Sequence, residues 1–309
     1  VNYRQLGNTS IEVSEIGFGA WGIGGDAYGP TDDHESKRTL EAAYANGINF
    51  FDTADIYGDG RSEELIGKVF EHVRHEVVIA TKGGSLYHTQ PPAPQDFSPA
   101  YLRSALEASL RRLRTDYIDV YQLHSPPVEM IHDAISVLMD FQEEGKIRSI
   151  GVSLNSPDDY NYVLGESSTT IVQTNFSMVD QRAFYNHLLS MYSMGIIVRT
   201  PLCFGFLSGN VTQWSNRNTP ADHRNNWSYK QLDLWEDSPQ LFEHLKGNRT
   251  AAQLALGFCL SHDAVSTTIP GMMHVDEVLE NVKACVLSDD EVQEIREIYN
   301  QHEFFLGER

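Results

Sequence analysis

Basic residues are scarce in this chain: 23 Lys and Arg stand against 43 Asp and Glu over 309 residues, a formal net charge of −20. That mean field repels phosphate backbones and anionic lipid, so no nucleic acid and no membrane partner is expected. No apolar run approaches the roughly 18 residues that a membrane span needs. Residues 1–10 lack the charged-then-apolar layout of a signal peptide, so a cytoplasmic location is expected. Cysteine is nearly absent. Cys203, Cys259 and Cys285 are odd in number, widely spaced and outside any CxxC arrangement, which speaks against both a disulfide framework and a thiolate metal site. Of the 12 histidines only His72 and His75 share helical i, i+3 spacing, with no third ligand that the pattern identifies, so no metal is expected. A nucleotide-cradling GxGxxG is also missing. Gly17-Phe18-Gly19-Ala20-Trp21-Gly22 follows the first apolar run but lacks the helix start such a loop requires.

What is present is the composition of an ordinary folded protein, with 41% hydrophobic, 10% aromatic and 21% charged residues. A short hairpin is predicted at the start, residues 3–6 and 11–13 flanking a turn at Gly7-Asn8-Thr9. After it one pattern repeats. Short β-rich runs at 16–19, 49–52, 77–82 and 117–124 alternate with helical periodicity at 33–46, 61–71, 98–112 and 130–145. The second half continues with runs at 147–153, 171–175, 196–200 and 265–269, and helices at 157–164, 185–194, 250–261 and 275–284. Parallel strands need long crossovers on the sheet face, and the runs are apolar nearly throughout, as in Val77-Val78-Ile79-Ala80, which suits strands buried on both faces. Eight such units predict a closed (β/α)8 TIM barrel, α/β in class, as one domain over 1–309; an open doubly wound sheet shares the periodicity. A capped acidic helix is expected at 288–299, before a tail holding Phe304 and Phe305.

Two connections are long, 83–97, stiffened by Pro91, Pro92 and Pro94, and 201–248. In such a barrel they emerge on the face that carries chemistry. The second holds Trp214, Trp227 and Trp235, and Trp21 would face them across the mouth. These rings suit either an aromatic pocket wall around a substrate or the anchoring of long loops.

Three strands end in a titratable residue: the second in Asp52, the third in Lys82, the fourth in His124. Tyr57 stands five residues beyond Asp52, in a loop with Gly58 and Gly60. Adjacent strands lie about 4.8 Å apart, so these groups can converge. Singly each has a plain structural role open to it. Together they form a proton donor, because an ammonium beside a phenol stabilises its phenolate and is expected to lower its pKa, while a carboxylate keeps the lysine charged. Tyr57 would act as general acid, with His124 as a second donor to the same oxygen. No nucleophile with a paired base stands among them. A barrel hydrolase would need paired carboxylates or metal-binding histidines at strand ends, and neither pattern occurs.

The segment Gly47-Ile48-Asn49-Phe50-Phe51-Asp52-Thr53-Ala54-Asp55-Ile56-Tyr57-Gly58, followed by Ser62-Glu63-Glu64-Leu65-Ile66-Gly67, closely resembles the signature of the aldo-keto reductases. The likeness continues through Thr81-Lys82-Gly83, Asp119-Val120-Tyr121-Gln122-Leu123-His124, Gly151-Val152-Ser153, Gln173-Thr174-Asn175 and Ile269-Pro270-Gly271, over nearly the whole chain. The resemblance implies an oxidoreductase that reduces an aldehyde, ketone or sugar carbonyl with a nicotinamide cofactor, its tetrad being Asp52, Tyr57, Lys82 and His124. It also implies that Ser153 and Gln173 hold the carboxamide, that Pro201, Leu202 and the chain to Leu207 follow the pyrophosphate, and that Gly271, Met272, Met273, Glu280 and Asn281 lie by the adenosine.

Three departures matter. Leu154 replaces an asparagine common in the family, with Asn155 following. Arg199 stands where a tyrosine usually stacks on the nicotinamide, and a guanidinium there should disfavour the cationic, oxidised ring. In place of Arg, Lys or Gln beside the 2′-phosphate the chain offers His274 and Glu277. NADPH is the expected cofactor, with His274 and nearby amides as phosphate partners, and NADH the alternative. Another reading is a cofactor-binding regulatory subunit with little turnover, as the potassium-channel beta subunits that resemble this family are thought to be. The Asn-rich stretch around Asn216, Asn218, Asn225 and Asn226 would suit a polyhydroxylated substrate, though asparagines are common in ordinary loops. The sequence carries no signal that fixes an oligomeric state.

Overall fold

The computed structural model describes residues 1–86, 94–154, 156–164, 166, 168–191, 193–211 and 222–306. Pro91, Pro92, Asn155, Trp214, Asn216 and Asn218, singled out above, lie outside the described residues.

The hairpin forms as expected, β1 (Tyr3–Gln5) pairing antiparallel with β2 (Glu12–Ser14). Eight parallel strands follow in sequential order: β3 (Phe18–Gly19), β4 (Phe50–Asp52), β5 (Val78–Gly83), β6 (Ile118–His124), β7 (Ile147–Ser153), β8 (Ile171–Asn175), β9 (Gly195–Arg199) and β10 (Val265–Thr268). The last meets the first. Gly17 N donates to Thr268 O at 2.8 Å, Thr268 N to Glu15 O at 2.9 Å, and Gly19 N to Pro270 O at 3.0 Å, which closes the barrel. Closure removes the exposed edges that an open sheet leaves.

The two-residue period of a strand divides each run between two cores. Phe50, Val78, Ala80, Val120, Ile171, Ile197 and Ile269 fill the interior, and Leu6, Ile11 and Val13 of the hairpin plug its lower end against them. Phe51, Ile79, Tyr121, Val152, Val172, Ile196 and Val198 face outward into the helices. This double burial is why the strands read as continuous apolar runs.

The outer ring begins with α1 (Asp33–Ala45), α2 (Arg61–Phe70), α3 (Pro99–Leu113) and α4 (Ile131–Glu143). Asp32 caps the first, accepting from His34 N and Glu35 N at 2.9 Å each, as a carboxylate at a helix start should. The next units are less regular. The predicted helix at 157–164 is a 3-10 turn, Pro157–Asp159, running into α5 (Tyr160–Leu164). The one predicted at 185–194 is instead α6 (Arg182–Tyr185) and a separate turn, Leu188–Ser190. His187, left-handed at φ 67°, breaks it, while the Asn186 side chain accepts from Leu188 N at 3.3 Å.

The long connection at 201–248 contains α7 (Tyr229–Leu241), capped by Ser228, and the short α8 (Glu243–Lys246). The alternation did not separate α7 from loop because its buried stripe is Gln231, Leu232, Trp235 and Ser238, half of it polar. Trp235 is fully buried there, its Nε1 donating to Phe304 O at 3.0 Å. The ring completes with α9 (Ala251–Leu260) and α10 (Val275–Asn281), and α11 (Asp289–Gln301) follows as predicted, with Ser288 capping it. No helix among the described residues is long and apolar enough to cross a membrane.

Candidate active site

The same parity that fills the barrel interior aims the titratable residues upward into its mouth. Phe50 points inward, so Asp52 does too; Val78 and Ala80 are followed by Lys82, Val120 by Gln122 and His124, Ile171 by Gln173. Register brings them level, with Lys82 beside Gln122, His124 beside Ser153, and Ser153 beside Gln173.

Lys82, fully buried, donates from Nζ to Asp52 Oδ1 at 2.5 Å, to Thr53 O at 2.8 Å and to Tyr57 Oη at 3.3 Å. The other oxygen of Asp52 accepts from Gln173 Nε2 at 2.7 Å and Gln122 Nε2 at 3.2 Å. A buried carboxylate is tolerable only when its lone pairs are filled and its charge matched, and here three donors do both. Gln122 was not picked out from sequence; its inward parity was the available signal.

Burial is the largest influence on Lys82 and acts to lower its pKa, but Asp52 and Tyr57 outweigh it and hold the value above that of a free lysine. The ammonium therefore stays charged. Tyr57 departs from expectation. Burial, the largest influence, raises its hydroxyl above the ordinary tyrosine value, while Lys82 pulls the other way and Asp52 adds to the rise. Lys82 thus moderates a desolvation effect without overcoming it. The proton is held on the phenol, beside a cation that stabilises its departure.

The ring of His124 stands edge-on to that of Tyr57, centroids 6.0 Å apart at 84°. Its backbone is pinned by the base of the 83–97 connection: Ser85 Oγ donates to His124 O at 3.1 Å and Gln95 Nε2 to Ser125 O at 2.7 Å. Trp21 lines the opposite side, 6.1 Å from Tyr57. Beyond it is a residue that sequence reasoning missed, His223, 4.4 Å from Trp21, 4.9 Å from Tyr28 and 5.3 Å from Phe204. His223 N donates to Ala27 O at 2.8 Å, fastening the connection after β3 to the one after β9 across the mouth. Trp227 packs on Trp235 at 4.7 Å and on Phe204, the neighbour of His223, at 5.8 Å. Trp235, being buried, anchors the loop.

On the other side of the mouth, Ser153 Oγ donates to Gln173 Oε1 at 3.2 Å, both side chains buried. Arg199 ends β9 and reaches over β8, its guanidinium donating to Leu154 O at 2.7 Å and its charge helping to lower the pKa of Tyr57. After it the chain turns through Thr200 (φ 55°), Cys203 (φ 46°), Phe204 (φ 56°) and Gly205 (φ 95°). Left-handed backbone costs a non-glycine residue roughly 1–2 kcal/mol, and such strain gathers at functional sites. Asp59, Ser125, Thr200, Cys203 and Phe204 all carry it on this one rim.

Pro201 is buried and Leu202 half-buried within that turn. Gly271 borders open space, with nothing within 4 Å of where a Cβ would stand. Met272 is wholly buried in the outer core and Asn281 nearly so, while Met273 and Glu280 are half-buried. Two amides just before α10 are engaged by its own first turn: Glu277 Oε2 accepts from Met273 N at 2.6 Å and from His274 N at 3.1 Å. The donor set at β7, β8 and β9, the left-handed turn and the open space by Gly271 together fit an amide-bearing ring with an extended tail. Among the described residues no three His, Cys, Asp or Glu side chains are grouped to hold a metal ion.

Residues 15–300 match the model of the Aldo/keto reductase family. The holo form of aldo-keto reductase AKR11C1 from Bacillus halodurans superposes with a TM-score of 0.82 at 31% identity, over 100% of this chain and 99% of that one. The NADH-specific methylglyoxal reductase of Escherichia coli K12 is 32% identical over 95% of this chain and 97% of its own length. The 6-dehydroglucose reductase of Novosphingobium aromaticivorans is 37% identical over 67% of this chain and 69% of its own.

Proposed function

The chain belongs to the aldo/keto reductase family, and from that premise we propose that it reduces a small aldehyde, ketone or sugar carbonyl to the alcohol with Tyr57 as general acid. It is an NAD(P)H-dependent oxidoreductase, and a nicotinamide held at the mouth would supply the hydride. The observation that carries the role of Tyr57 is the placement of Lys82 Nζ, 2.5 Å from Asp52 Oδ1 and 3.3 Å from Tyr57 Oη. As negative charge grows on the carbonyl oxygen, Tyr57 gives up its proton and the ammonium stabilises the phenolate left behind. Asp52 keeps Lys82 charged and fixed, and His124 offers a second donor to the same oxygen. Ser153 and Gln173 would hold the carboxamide, and Trp21 would border the substrate. A regulatory subunit needs the cofactor groove but not a buried phenol set beside a lysine–carboxylate pair, so the intact tetrad argues for turnover.

NADPH, the expected cofactor, called on His274 and nearby amides as phosphate partners. Glu277 takes the Met273 and His274 amides itself, and a carboxylate there opposes a 2′-phosphate while suiting a ribose hydroxyl. That supports NADH as the second reading, in keeping with the name of the Escherichia coli relative. A panel of aldehydes, ketones and sugars assayed with each reduced cofactor tests both points. Turnover of at least one carbonyl is expected, and a kcat/KM ratio beyond tenfold decides the cofactor. Tight cofactor binding with no turnover across the panel would return the regulatory reading.

A further inference from the structure

Tyr57 rides on a turn held both by its own backbone and by a second segment of the chain. Gly58 (φ 61°), Asp59 (φ 54°) and Gly60 (φ 89°) follow it in the left-handed region, the middle one without glycine's freedom. The local bonds lie at the upper end of the normal range: Asp59 N to Ile56 O, Arg61 N to Gly58 O and Ser62 N to Tyr57 O, each 3.2 Å. A further brace comes from elsewhere in the chain, the connection after β3. Asp26 Oδ2 accepts from Gly58 N, the first amide past Tyr57, at 3.0 Å. The two backbones are in contact there, since a Cβ on Gly58 would stand 2.2 Å from Gly24 O, and one on Gly24 2.9 Å from Tyr57 C.

Two further residues, Arg61 and Trp21, adjoin this brace. Arg61, at the start of α2, donates to Gly24 O at 3.2 Å and to Thr31 O at 2.9 Å, and pairs with Asp33 at 2.5 Å. Trp21, five residues before Asp26, lies along the phenol ring itself. Asp26 Oδ1 is buried with no hydrogen-bond partner among the described residues, so the Gly58 amide is what the carboxylate gains in return for its desolvation.

We infer that Asp26 is a positioning residue for Tyr57, its carboxylate locking the Gly58 amide and thereby the turn that aims the phenol at the substrate oxygen. The inference rests on the reading of Tyr57 as proton donor and adds the group that directs it. A charge-assisted hydrogen bond is about twice as strong as a neutral one, and a misplacement of about 1 Å can cost a catalytic group about a hundredfold in rate.

The test compares Asp26→Ala, Asp26→Asn and Tyr57→Phe in the full chain, measuring kcat on an aldehyde the parent reduces and the Kd of the reduced cofactor by fluorescence titration. Asp26→Ala is expected to lose about 10- to 100-fold in kcat with cofactor Kd unchanged, and Asp26→Asn, whose carbonyl can accept from the same amide, to recover most of it. Should Asp26→Ala not fold, Asp26→Ser, whose hydroxyl stops short of the amide, takes its place. Full kcat in Asp26→Ala, or a loss in Asp26→Asn equal to that in Asp26→Ala, overturns the inference. Unchanged kcat in Tyr57→Phe would instead remove the reading on which it rests.

Discussion

Replacing Lys82 by methionine keeps the length of the side chain and deletes its charge, which isolates what the ammonium does for Tyr57. Across the 3.3 Å between Lys82 Nζ and Tyr57 Oη, a unit-charge attraction at an effective dielectric near 20 amounts to about 5 kcal/mol. Asp52 opposes it. Relaxation of the site and water entry around the deleted charge return roughly half of that attraction. The net loss is about 2–3 kcal/mol, or about two units of phenol pKa, added to a value that burial already raises. With the proton in flight in the transition state, kcat for carbonyl reduction should fall about 10²-fold or more, within the range of general acid catalysis. Single-turnover decay of the nicotinamide absorbance reads the chemical step. Thermal unfolding and cofactor Kd, measured alongside, show whether the site survives, since breaking a buried ion pair costs about 3–5 kcal/mol. A folded Lys82→Met enzyme that binds cofactor normally and keeps its rate within about threefold would refute the reasoning.

Two other sites give independent checks. Arg199, anchored on Leu154 O at the mouth, should repel an oxidised, cationic nicotinamide, so Arg199→Tyr is expected to raise the affinity for oxidised relative to reduced cofactor by roughly tenfold, the scale of one modest charge interaction; an unchanged ratio of dissociation constants disposes of the idea. Remote from the mouth, His262 is held at a pKa of about 4 by burial and by Arg296, whose guanidinium donates to its Nε2 at 3.0 Å. Because the native value lies below the unfolded one, the stability it contributes is present above about pH 6.5 and drains away as pH falls toward 4, about 3 kcal/mol in all. His262→Gln should flatten that part of the stability curve, and an identical pH dependence in denaturant melts would contradict the assignment.

Much of this was legible in the sequence because strands obey a period of two and the barrel hides both faces. Knowing that Phe50 and Val78 are apolar and that Asp52 and Lys82 end their runs was enough to set both charges on one rim. The helix at 229–241 was not legible, since Gln231 and Ser238 occupy its buried face and interrupt the apolar period. The predicted helix at 185–194 failed for the opposite reason: its apolar spacing is real, but a left-handed His187 breaks the backbone, and periodicity does not report backbone handedness. The direction of the Tyr57 shift was misjudged because adjacency of Lys82 can be read from strand order whereas depth of burial cannot. His223 and Asp26 escaped notice because they act through contacts between connections far apart in the chain, the first on Trp21 and the second on Gly58. Gln122 was in plain view by parity, yet nothing in its residue type announced that Asp52 needed a further donor.

The most direct measurement is the rate of aldehyde reduction by Tyr57→Phe, which removes one oxygen and leaves the ring between Trp21 and His124 in place. A loss of about 10²- to 10⁴-fold in kcat, with reduced-cofactor Kd unchanged, is the predicted result. Turnover at the parent rate would show that the proton comes from another group and that the buried cluster of amine, carboxylate and phenol serves the fold alone.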